Sequence, residues 1–67
     1  MRARGTRGQI LSSLEQCERH LNKVLENLQR ADERAQGRHP VLNDHLPEIV
    51  GLTNGLLEVI TKLRGEI

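Results

Sequence analysis

Between residues 10 and 35 the apolar side chains keep a strict rhythm. Ile10, Leu14, Cys17, Leu21, Val24, Leu28, Ala31 and Ala35 follow one another at alternating steps of four and three. That repeat averages close to the period of an α-helix and gathers these side chains into one stripe, the seam spacing of a coiled coil. The spacing predicts a helix over about residues 10–36 that must lay this stripe on a second helix. Leu11 and Leu25 widen the stripe on one side. The other faces mix charges: Glu15, Glu18, Arg19, Lys23, Glu26 and Arg30. Glu15–Arg19 and Glu26–Arg30 sit four apart, each supporting the helix by about 0.2–0.5 kcal/mol, whereas Arg30–Arg34 opposes it slightly. Two capping boxes offer a start, Thr6 with Gln9 and Ser12 with Glu15. Gly37, suited to a left-handed residue, and Pro40 mark the stop.

A connector over residues 37–44 holds Pro40, Asn43 and Asp44, all turn or cap formers. A second helix is expected over about residues 45–65. Asp44 would cap it and Pro47 would fall in its first turn, where a missing N–H is harmless. A start at Pro40, with a kink at Pro47, is the alternative. Gly51 and Gly55 each weaken this helix by about 1 kcal/mol relative to alanine, so it needs packing to hold it. Its core stripe is expected to be Ile49, Leu52, Leu56, Val59 and Leu63, packed on Leu14, Leu21, Leu25 and Leu28 of the first helix. Leu46, Thr53, Ile60 and Ile67 extend that stripe on one flank, and Val50 and Leu57 extend it further. At 100° per residue the apolar arc spans about 160°, against about 100° on the first helix. One antiparallel neighbour needs only the narrower arc. Leu11, Val50, Leu57 and Ile60 are therefore expected to face a partner.

Composition narrows the function. The chain has 67 residues, ten basic and nine acidic side chains, one cysteine, and no Phe, Tyr or Trp. Near-zero net charge excludes a histone-like coat, and the lack of aromatics disfavours base-stacking platforms and most ligand pockets. Leu, Ile and Val make up 19 of the 67 residues, more than disordered chains carry. A single cysteine makes no intrachain disulfide, no apolar run is long enough to span a membrane, and no secretory signal pattern is present. These features lead us to expect an intracellular, cytoplasmic protein. Residues 1–9 are read as a flexible basic leader carrying Arg2, Arg4 and Arg7.

Cys17, His20, His39 and His45 invite a zinc reading. The connector histidines, however, lie about 24 Å along the helix from His20, so one chain does not bring them together. Ser12, Ser13, Asp32 and Asp44 form no nucleophile–base set, and no phosphate-binding glycine loop is present. No enzyme, cofactor, metal or small-molecule substrate is expected. Gly51 and Gly55 fall on the polar side of the second helix and read as a tolerated or partner-contacting small patch rather than a close helix crossing. The leader arginines give a weaker alternative, a small dimeric bundle that binds nucleic acid. The mixed charges of helix one offer no basic stripe for it.

Gly37, Pro40 and the run Gly55-Leu56-Leu57-Glu58-Val59-Ile60 give the chain, over about residues 11–63, a layout that resembles the small helical-hairpin co-chaperones of bacterial type III secretion. The resemblance implies a bacterial cytoplasmic protein that pairs with a second chaperone and keeps a secreted subunit soluble.

The sequence thus predicts an all-α, antiparallel two-helix hairpin over residues 10–67 that completes a helical bundle with itself or with another helical protein. The expected role is a non-catalytic interaction module, an adaptor or chaperone-like subunit, without membrane contact.

Overall fold

Two long amphipathic segments separated by a Gly–Pro break leave the chain one compact solution, a hairpin. In the computed structural model, which describes residues 5–67, the chain is all-α. Helix α1 runs over Gly5–Ala35 and helix α2 over Pro40–Glu66, packed antiparallel. The hairpin measures 55 × 18 × 12 Å.

Helix α2 starts five residues before its sequence-predicted boundary, and α1 is already helical at Gly5, the first described residue. Helix α1 takes in residues 5–9 of the expected leader, so neither capping box marks its start. The gain is an anchor at the C-terminal end of α2: the Arg7 Nε donates a 2.8 Å hydrogen bond to the main-chain carbonyl of Ile67. Helix C-termini collect unpaired carbonyls and partial negative charge, which favours an arginine there. The leader's Arg2 and Arg4 lie outside the described residues.

Helix α1 stops where Gln36 and Gly37 both turn left-handed, with φ of 52° and 74°. Gly37 adopts this conformation at no steric cost, whereas Gln36 is strained by about 1–2 kcal/mol. The turn is closed by Gln36 N to Asp32 O at 3.0 Å and Arg38 N to Ala35 O at 2.9 Å. The Asn43 side-chain amide adds a 3.1 Å bond to the Gly37 carbonyl.

Helix α2 starts at Pro40, the alternative start, and not behind Asp44. Proline fits a first helical position because its φ is already helical and its N–H is not needed. His39 precedes it in extended conformation and makes no side-chain cap. Pro47 therefore lies inside the helix, where it has no N–H to give the Asn43 carbonyl. In return, Leu42 and Leu46 join the packed face, and Leu46 becomes the most buried large side chain of the hairpin.

The seam between the helices is thin. On α1 the half-buried and buried positions are Gly8, Leu11, Leu14, Glu18, Leu21, Leu25, Leu28, Ala31 and Ala35. On α2 they are Leu42, Leu46, Val50, Thr53, Leu57, Ile60 and Arg64, followed by Ile67 just past its end. Only Ala35, Leu46 and Thr53 among the described residues are buried, and none is fully so. Two helices touch along one line, and a line shields little.

Candidate interaction face

Helix α2 carries two apolar stripes about 90° apart at 100° per residue. The structure turns toward α1 the other stripe, not the expected one. Ile49, Leu52, Leu56, Val59 and Leu63, expected in the seam, are exposed by 42%, 68%, 52%, 61% and 44%. Val50, Leu57 and Ile60, expected to face a partner, are half-buried in the hairpin, as is Leu11 of α1. Leu14, Leu21, Leu25 and Leu28 lie in the seam as expected.

The reason for this reversal is polar. The stripe turned inward contains Thr53 and Arg64, which weigh against burial when apolarity alone is counted. Both are satisfied in place. The Thr53 hydroxyl donates a 2.8 Å bond to the Ile49 carbonyl one turn earlier, so a polar side chain sits in the seam with no orphaned group. Arg64 donates from Nε to Glu18 Oε2 at 3.0 Å, and its Nη1 lies 4.0 Å from Glu15 Oε2. Thr61 adds a 2.9 Å bond from its hydroxyl to the same Glu18 oxygen. The Arg64 hydrogen bond is the main cause that holds the Glu18 carboxyl below its ordinary value of 4.5, with Thr61 helping and partial desolvation opposing. A sequence signal for this face existed. Glu18 interrupts the Leu11–Leu25 row of α1, and Arg64 interrupts the Thr53–Ile67 row that α2 turns inward. In an antiparallel hairpin these two interruptions meet.

The Glu18–Thr61–Arg64 cluster also fixes which edge of the hairpin is which. On α1, Glu15 and Glu18 lie on one side of the Leu14–Leu21 row, and Ile10, Cys17 and Val24 lie on the other. On α2, Thr61 lies on one side of the Thr53–Ile60 row, and the Ile49–Leu63 stripe lies on the other. Because the helices are antiparallel, the two polar edges share one side of the hairpin, and the two remaining apolar edges share the opposite side. Ile10 and Val24 are 41% and 40% exposed there, and Cys17 is exposed. At the turn end this open face continues into a shallow groove lined by Ala31, Ala35, Val41 and Leu42, with Arg34 and His39 at its rim. Val41 alone is 72% exposed. The closed side is different. Its depression over Leu25, Leu28, Leu46 and Val50 is bordered by Gln29, Asp32 and Asn54.

The other candidates stay scattered. Cys17, His20, His39 and His45 are all exposed, and no three metal-ligating side chains come together among the described residues. A Cβ added at Gly51 or Gly55 would meet open space. No described helix is long and apolar enough to cross a membrane. No protein-family model matches the chain, and comparisons with curated proteins and with solved structures give no significant match.

Proposed function

We propose that this chain is a non-catalytic helical interaction module, one subunit of a larger helical bundle, whose working surface is the open face of Ile49, Leu52, Leu56, Val59 and Leu63 with Ile10 and Val24. The observation that carries the reading is the exposure of eight large apolar side chains, Val41 included, in a hairpin that fully buries none among its described residues. Scattered apolar residues on a surface are ordinary, but a contiguous stripe across both helices is the mark of an interaction site. The stripe on α2 has the steps three, four, three, four of a helix seam. Its natural complement is another helix, and two such hairpins or a hairpin with further helices close a bundle. Adaptor and chaperone-like roles in the cytoplasm both fit such a surface. In the co-chaperone form of this reading, the occupant would be a helix of a second chaperone; the Gly37–Pro40 break between two helices agrees with that layout.

The test is size-exclusion chromatography with light scattering at micromolar concentration, with circular dichroism on the same samples. The module reading expects either an assembly that Leu52→Asp with Leu56→Asp disperses, or a poorly helical chain that lacks its partner. A helical, cooperatively melting species at 7.6 kDa, indifferent to both substitutions, overturns it.

A further inference from the structure

We propose that the occupant of the open face is a second copy of this chain, packed about a two-fold axis that runs antiparallel α2 helices against each other at Gly55 and Leu56; this rests on the interaction-module reading above. The α2 stripe is nearly palindromic. Around Leu56, Ile49 and Leu63 stand seven residues away on either side, and Leu52 and Val59 stand four and three away. An antiparallel copy therefore lays Ile49 on Leu63, Leu52 on Val59 and Leu56 on itself.

The charges flanking the stripe follow the same symmetry. Glu48, Gly55 and Lys62 occupy the equivalent position of three successive heptads, on the side of the stripe away from α1. In an antiparallel pair such positions face their own kind, so Glu48 meets the Lys62 of the other copy, and Lys62 its Glu48. Two opposite-charge pairs form at the rim, with Gly55 facing Gly55 between them, where a Cβ would meet open space and the bare backbone lets the second helix approach. A parallel pair would set Glu48 against Thr53, which is already buried in its own hairpin. Charge complementarity thus selects both a like partner and its direction.

Helix α1 accommodates the same axis. The Glu18–Thr61 bond sets the register of the hairpin. Six residues on from Glu18 and six back from Thr61 bring Val24 level with Gly55. Cys17 and Ala31 then flank Val24 seven residues away on either side, and Ile10 lies beyond them, level with Arg38 of the second copy. One two-fold axis therefore serves both helices, and since the two stripes of α2 are about 90° apart, the four helices form a square.

The experiment uses the full chain. Light scattering is expected to give twice 7.6 kDa. Glu48→Lys and Lys62→Glu, made singly, are each expected to weaken the dimer on the order of tenfold, since each turns two attractive rim pairs repulsive. Made together they restore it. In a Cys17→Ser background, Gly55→Cys is expected to cross-link rapidly between copies on mild oxidation, and Asn54→Cys, which points off the stripe, is not. A dimer in which the double exchange fails to restore affinity and Gly55→Cys fails to cross-link overturns the proposed arrangement. A poorly helical monomer overturns the second copy while leaving the interaction module standing. A stable helical monomer indifferent to Leu52→Asp and Leu56→Asp removes both.

Discussion

Replacing a leucine by alanine at positions 46 and 52 separates the inner from the outer face of α2. The substitution removes three carbon atoms, worth about 2.4 kcal/mol when the side chain is fully buried, at about 0.8 kcal/mol per carbon. Leu46 is 9% exposed in the hairpin, so Leu46→Ala is expected to cost about 2 kcal/mol, and more if the neighbours fail to close the cavity. Leu52 is 68% exposed, so within a lone hairpin its loss is worth only about 0.8 kcal/mol. Once a partner covers the open face, the cost of Leu52→Ala rises to that of Leu46→Ala. The assay is urea unfolding followed by circular dichroism, at concentrations well below and well above assembly. The expected outcome is a large, concentration-independent loss for Leu46→Ala and a loss that grows with concentration for Leu52→Ala. If Leu52→Ala costs more than Leu46→Ala in the dilute sample, the faces have been assigned the wrong way round. If its cost stays small at every concentration, the open face has no partner.

Three further outcomes follow from the turn, the proline and the ion cluster. Gly37→Ala places a Cβ on a residue with φ of 74° and is expected to destabilise by about 1–2 kcal/mol, whereas Gln36→Gly relieves the φ of 52° and is expected to be neutral or slightly stabilising in thermal melts. Pro47→Ala returns an N–H to the Asn43 carbonyl and is expected to stabilise α2 by up to about 3 kcal/mol, reduced by the looser unfolded chain; a fall in melting temperature would contradict the interior placement of Pro47. Glu18 is more acidic when folded than unfolded, so its contribution is complete above its ordinary value of 4.5 and fades as pH falls through the depressed folded value. Glu18→Gln is therefore expected to lower stability at neutral pH and to make it less sensitive to acid below 4.5. Equal acid sensitivity in the variant and the parent chain would remove Glu18 from that role.

The hairpin and its helix types were legible because a 3–4 repeat, a glycine and a proline are local signals. The boundaries were less so. Helix α1 extends back to Gly5 because Arg7 reaches a carbonyl 60 residues away, and α2 begins at Pro40 because Leu42 and Leu46 gain contacts that only the folded turn supplies. The choice of face on α2 was illegible from apolarity, since Ile49–Leu63 and Leu46–Ile60 are comparable stripes on one helix. What decides between them is non-local: a glutamate on α1 that finds an arginine and a threonine on α2, and a threonine that satisfies itself on its own backbone.

Leucine rows have little memory of alignment. Slide α2 one heptad along α1, and most apolar positions still meet apolar positions. Glu18 loses its cation in the slide: seven residues back from Arg64 stands Leu57, and only the neutral amide of Asn54 takes the place of Thr61. The Glu18–Thr61–Arg64 cluster at the open end of the hairpin therefore favours one setting of the two helices. In that setting, and in no slipped one, Val24 stands beside Gly55 and Leu56, so a contact on the polar edge of the molecule determines the shape of the apolar edge across from it.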